Sequence, residues 1–172
     1  MIKALARLKG LRMPNTSSDF MSDWEAYRII RLRSLLEEPD AYESEYQTEA
    51  QFQPDNWKQR LANAASFLAF DDDHALIGTA TALGAGDDDI LVVGMYVVPE
   101  ARAHGCAHQL LDAIADLATH RQTKRLVLEV ADSNSRATRL YHSYGFDETG
   151  HRHLMDRDPN ITEIELAYRL PS

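Results

Sequence analysis

The chain predicts an α/β fold on one mixed sheet flanked by helices, in the order β-α-α-β-β-β-α-β-α-β-β. Three observations carry that expectation. Apolar residues follow helical spacing before about residue 64 and strand-like runs from residue 66. Three such runs, separated by turn-forming aspartates and glycines, precede an amphipathic helix. A short apolar run, Leu126 to Val130, follows that helix. The crossover from Val98 to Leu126 therefore reads as a right-handed β-α-β unit with parallel strands.

Taken in order, Met1 to Lys9 alternates apolar with basic residues and reads as a first strand rather than a targeting segment. Ser22-Asp23-Trp24-Glu25 has the form of a capping box, with Ser22 at the N-cap. Trp24, Tyr27, Ile30, Leu32 and Leu35 then give a helix its apolar face up to Glu37, and Pro39 stops it. Residues 40–53 are acidic and aromatic, and Pro54-Asp55 opens a second helix to about Asn63. Strands follow at Ser66 to Phe70, Ala75 to Leu83 and Ile90 to Val98. The aspartate triplets at 71–73 and 87–89 make hairpin turns, lacking the ligand spacing of a calcium loop. Helices are expected from Gly105 to His120 and from Asn134 to Tyr144, and final strands over 146–149 and 162–170.

Composition excludes several function classes. Hydrophobic content of 44% and charged content of 26% are those of an ordinary globular chain, long enough to bury one core. No apolar run reaches 18 residues, so no membrane span is expected. A net charge of −9 argues against nucleic-acid binding, which needs a basic footprint, and permits attraction of cationic amines. Cys106 stands alone, which excludes an internal disulfide and fits a cytoplasmic setting.

Two stretches carry chemistry. Val97-Val98-Pro99-Glu100-Ala101-Arg102-Ala103-His104-Gly105-Cys106-Ala107 is a strand end, a loop of small residues and a helix start. Amides at such a helix N-terminus favour phosphate. About thirty residues on, Asn134-Ser135-Arg136-Ala137-Thr138-Arg139-Leu140-Tyr141-His142-Ser143-Tyr144-Gly145-Phe146 is a helix with a polar entry, a phenol near its end and a glycine stop. An anion cradle beside a phenol suggests a nucleotide-linked cofactor with an acid nearby.

These motifs, in this order, resemble the GNAT superfamily of acyl-CoA-dependent N-acetyltransferases, and the resemblance covers nearly the whole chain as one domain, 1–172. It implies acetyl-CoA as cosubstrate, no metal, and backbone contacts to its pyrophosphate from Arg102, Ala103, His104, Gly105, Cys106 and Ala107. It further implies pairing of the pantetheine arm with Met95 and Val97. Gly94 in the same strand suggests a bulge or a close backbone approach. Asn134 would reach the pantetheine chain, a role compatible with capping its helix. Ala103 and Ala107 stand where many relatives have glycine, and Leu91 stands where several have a catalytic glutamate.

The reaction implied is direct attack of a primary amine on the thioester. Tyr141, at the family's tyrosine position, is the expected acid, the alternative being an aromatic packed with Leu140 and Tyr144. Glu129, twelve residues before it, is the expected base. That spacing resembles the glutamate-tyrosine pair of protein N-terminal acetyltransferases, and apolar neighbours would raise the pKa of the carboxylate. The alternative is a solvent-facing strand residue. Cys106 reads as packing and His104 as either a phosphate contact or a solvated side chain. His142, His151 and His153 lack a third zinc ligand at convincing spacing. The acceptor expected is a small amine, with a peptide α-amine as the second reading and a catalytically inactive CoA-binding regulator as the reading from another class. No membrane or nucleic-acid partner is implied, and a homodimer is open.

Overall fold

In the computed structural model, the backbone is described for residues 8–12, 20–86 and 88–171, and side chains from residue 24 onward. Among the described residues, seven strands form one sheet: β1 (Leu8–Arg12), β2 (Ala65–Asp71), β3 (Leu76–Ala85), β4 (Asp89–Val97), β5 (Arg125–Ala131), β6 (Asp147–Leu154) and β7 (Thr162–Arg169). Their spatial order is β1-β2-β3-β4-β5-β7-β6. The helices are α1 (Phe20–Glu37), α2 (Tyr46–Glu49), α3 (Pro54–Asn63), α4 (Cys106–His120) and α5 (Ser135–Tyr144). None of the described helices is long and apolar enough to cross a membrane.

Most expected elements are present, with four differences. The first strand is Leu8–Arg12, and residues 1–7 lie outside the described part. The first helix already begins at Phe20, so Ser22 sits in its first turn and not at its N-cap. No proline or glycine between Phe20 and Asp23 interrupts the helical backbone there. The acidic segment after Pro39 holds a 3₁₀ turn, Pro39–Ala41, and the short α2. The strand expected over 146–149 runs to Leu154, because His153 and Leu154 continue to pair with β7.

β3 is buried on both faces. Phe67, Ala69, Gly78 and Ala80 are matched across β2 and β3, and a Cβ at Gly78 would lie 3.1 Å from Cys106 Sγ and 3.3 Å from Leu110 Cδ1. The missing side chain is what lets α4 sit this close. On that face α4 buries Leu110, Leu111, Ile114 and Ala118, the i, i+4 stripe of an amphipathic helix. The alternate residues Ser66 and Thr81 face the side of α3, with their hydroxyls 2.8 Å apart.

β4 and β5 are parallel, as the crossover predicts, but only briefly. Asp89, Ile90 and Leu91 are matched with Arg125, Leu126 and Val127, and there the pairing ends. Beyond it β4 stays with β3 while β5 pairs along its whole length with β7. Gly94 causes the parting. Its φ of +60° is a left-handed conformation that glycine adopts freely, and the β3–β4 register slips beside it. The closed end is pinned by charge: Arg125 donates to both carboxylate oxygens of Asp89, at 2.9 and 2.6 Å, and Lys124 Nζ lies 2.8 Å from Asp88 Oδ2. The bulge expected at Gly94 is therefore present, and it opens the sheet.

A buried ion cluster holds the helices over this opening. Glu49 is 1% exposed and accepts from Arg31 Nε at 3.1 Å and Nη2 at 3.0 Å, with Arg60 Nη1 at 2.9 Å. Burial alone would raise the Glu49 pKa, but the two arginines hold it below the ordinary carboxylate value. Arg31 stacks over Tyr42, 4.8 Å from the ring centre, which fixes the segment that roofs the cleft. Removing one partner of such a cluster strands the others. Glu49→Ala should therefore lower unfolding stability in urea by about 3–5 kcal/mol, and a loss under 1 kcal/mol would show the cluster to be dispensable.

Candidate active site

Two cavities open from the split between β4 and β5. The first, about 470 Å³, runs from Val97, Arg102, Ala103, Gly105 and Ala107 past Met95 to Asn134 and Tyr141. The second, about 680 Å³, lies above Leu91, Val93, Glu129 and Ala131 and reaches Glu43 and Glu163. Ala41, Tyr42, Met95, Asn134, Ala137 and Tyr141 line both. The cavities therefore adjoin along these six residues, Tyr141 among them.

The loop before α4 exposes a run of amides. Arg102 N donates to Pro99 O at 3.3 Å, and Gln109 N donates to Gly105 O at 3.1 Å. Among the described residues, no amide from Ala103 to His108 donates to backbone. These are the orphan N–H groups of a helix start, and no side chain caps them. Gly105 has φ +84°, and Ala103 adopts φ +63°. A left-handed alanine costs about 1–2 kcal/mol, a strain that turns its amide with the rest of the loop. Nothing lies within 4 Å of a Cβ placed on Gly105, so the space before the loop is open. The amides, the small residues and the helix dipole together suit a pyrophosphate.

The carbonyls of β4 in the split are already engaged. Tyr42 Oη donates to Met95 O at 3.0 Å, and Arg102 Nε donates to Val97 O at 2.9 Å. In a strand the N–H of a residue points to the same side as its C=O. The amides of Met95 and Val97 therefore remain as donors on this edge. Glu38 Oε1 accepts from Arg102 Nη2 at 2.9 Å and Arg136 Nη2 at 2.6 Å, tying the end of α1 across the mouth of the smaller cavity. The side chain of Arg102 is thus a strut, and its own amide is taken by Pro99 O, so the backbone contact expected of Arg102 is not available to a phosphate.

α5 places the remaining residues. Asn134 Oδ1 caps the helix by accepting from Ala137 N at 3.1 Å, which leaves its amide nitrogen free to donate into the cavities. Gly145, at φ +116°, ends the helix. Tyr141 is 8% exposed and packs edge-on to Phe146 at 5.7 Å. Burial and the neighbouring Tyr42 push its pKa up, so the phenol keeps its proton at neutral pH. Tyr144 serves otherwise, donating to Asp112 Oδ1 at 2.9 Å and tying α5 to α4. Cys106 is 2% exposed, and burial pushes its thiol up to about 11, as expected of a packing residue. His104 is exposed at the turn.

Glu129 lines the larger cavity with Tyr141, but its side chain is 43% exposed. Strand alternation turns it away from Leu128 and Val130, so the desolvation expected of it falls elsewhere. It falls on Glu163 of β7, 5% exposed, whose carboxyl is pushed up by burial and then by Glu129 and Glu43. His153 of β6 lies beside Glu163 in the ladder, with Nε2 3.3 Å from Glu163 Oε2 and 3.8 Å from Glu129 Oε1. The sequence reading missed Glu163 because Thr162-Glu163-Ile164-Glu165-Leu166 alternates like any half-solvated strand. Only the position of β7 between β5 and β6 shows which of its glutamates is buried.

A family model described as Acetyltransferase (GNAT) family matches residues 29–146, from the middle of α1 to the end of α5. A mycothiol acetyltransferase from Acidimicrobium ferrooxidans is 27% identical over 154 residues, which cover 87% of this chain and 45% of that protein. The chain thus spans less than half the length of that relative. Among solved structures, the acetyltransferase YncA from Salmonella typhimurium, determined with acetyl-CoA, matches at TM-score 0.70 and 18% identity over 97% of this chain and 96% of its own. Spermidine N-acetyltransferase from Vibrio cholerae, determined with CoA and spermine, matches at TM-score 0.69 and 16% identity over 93% and 95%. The split sheet, the amide loop before α4 and the phenol of α5 all lie within or beside the matched span, and the chain belongs to the acetyltransferase (GNAT) family.

Proposed function

We propose that the protein transfers the acetyl group of acetyl-CoA to a primary amine on a small cationic acceptor. The observation that carries this reading is the position of Tyr141 at the junction of the two cavities. One cavity suits the donor and the other the amine. The amides from Ala103 to Ala107 take the pyrophosphate, and the amides of Met95 and Val97 and the Asn134 carboxamide take the pantetheine arm. The thioester then reaches Tyr141.

An ammonium must lose a proton before it attacks. Glu129, exposed on the larger cavity, takes that proton directly or through water. The amine nitrogen forms its bond to the acyl carbon as the carbon–sulfur bond breaks. The electron pair leaves on sulfur, which takes a proton from Tyr141 Oη, and the proton that the nitrogen sheds as the amide forms returns to the phenolate directly or through water. Burial keeps the phenol protonated at neutral pH, so Tyr141 holds a proton to give. A peptide α-amine is the second reading, favoured by Glu129 and Tyr141 lining one cavity.

Calorimetry with acetyl-CoA, followed by thiol release over a panel of diamines, aminoglycosides and peptides, tests the activity. Absence of binding at millimolar acetyl-CoA would refute it. Tyr141→Phe keeps the ring against Phe146 and removes the proton. Its kcat should fall by about 10²–10⁴-fold with cofactor affinity nearly unchanged. A wild-type kcat in that variant would make Tyr141 a packing residue.

A further inference from the structure

Glu163 is a carboxyl group that the fold buries with only the His153 imidazole beside it. Its side chain is 7% exposed, and among the described residues Oε2 accepts no hydrogen bond. His153 Nε2 is near in distance but off hydrogen-bond alignment. The surroundings are acidic. Glu129 reaches in from β5, and Glu43 comes from the segment before α2. Glu43 is fixed in place, its two oxygens accepting from Asp156 N at 3.0 Å and Arg157 N at 3.1 Å. One donor atom each from Glu129, His153 and Glu163 lie within 4.8 Å of one another.

Among the described residues, the arginines near this cavity are engaged elsewhere. Arg31 and Arg60 pair with Glu49, and the Arg157 guanidinium donates to Tyr42 O at 3.2 Å and Pro39 O at 3.0 Å. A buried carboxylate with free lone pairs is costly unless something positive arrives. The cluster opens into the larger cavity, the one assigned to the acceptor. An ammonium among these two carboxylates and the imidazole stands within reach of charge-assisted hydrogen bonds to both carboxylates.

We propose that Glu163, with Glu43, Glu129 and His153 around it, is a subsite for a second ammonium group of the acceptor, which is therefore a diamine or polyamine and not a monoamine. This rests on the acetyltransferase reading of the same cavity. One ammonium is held at Glu163 while the other amine, deprotonated, is presented to the thioester beside Tyr141. The acceptor's length and charge then decide which amine reacts.

Calorimetry on the protein saturated with CoA, with spermidine and n-butylamine as probes, tests the subsite. Spermidine should bind at least about tenfold more tightly than n-butylamine, the effect of one charge-assisted hydrogen bond. Glu163→Gln should remove that advantage while n-butylamine and CoA bind as before. Glu43→Gln, at the rim, should reduce it in part. Equal affinity for the two amines, no heat from spermidine, or an unchanged preference in Glu163→Gln would each overturn the subsite. The CoA titration separates the two readings, since failure to bind CoA refutes the acetyltransferase reading, and CoA binding without amine discrimination refutes the subsite alone.

Discussion

The short run of parallel pairing between β4 and β5 governs the rest of the site. Three matched residue pairs join the strands, the Asp89–Arg125 and Asp88–Lys124 pairs clamp that end, and the left-handed backbone of Gly94 turns β4 away. Backbone groups that a continuous sheet would consume face a cleft instead. The loop of amides before α4 stands at one side of the cleft and the phenol of α5 at the other. A straight β4 would close both cavities, since each is walled by that strand and by α5.

Over the cleft, charge does what apolar packing does elsewhere. Glu49 gathers Arg31 and Arg60, Arg31 holds Tyr42 by its ring, and Tyr42 hydrogen-bonds Met95 O. A second chain of contacts runs from Glu38 to Arg102 and Arg136 and on to Val97 O. Both chains join the N-terminal helices to the edge of β4. Buried ion clusters contribute little net stability compared with apolar packing, but they are demanding in geometry. Here the geometry keeps two carbonyls of the cleft satisfied and leaves the neighbouring amides as donors.

The fold was legible wherever local chemistry decides the element. The proline after Val98, the small residues before α4 and the glycine after Tyr144 each mark a boundary that the backbone respects. Gly94 gave away the bulge, because a glycine inside a β-branched run has few other uses. The N-terminal boundary of α1 was not legible, since a capping-box pattern inside a helix looks like one at its start. Glu129 was expected to be desolvated because its sequence neighbours are apolar, yet in a strand those neighbours face the other way. Glu163, and the place of His153 beside it, were missed for the complementary reason. Their meaning comes from cross-strand pairing with residues tens of positions away, and period two alone cannot say which face is buried. The roles of Glu38 and Arg136 likewise depend on a contact across nearly a hundred residues.

In the proposed reaction the donor enters the split with its phosphates on the α4 loop and its arm along β4. Amide chemical shifts of ¹⁵N-labelled protein during a CoA titration report on this directly. The largest changes should fall on Ala103 to Ala107, Met95 and Val97. Saturable binding that leaves those amides unmoved while others shift would contradict the account.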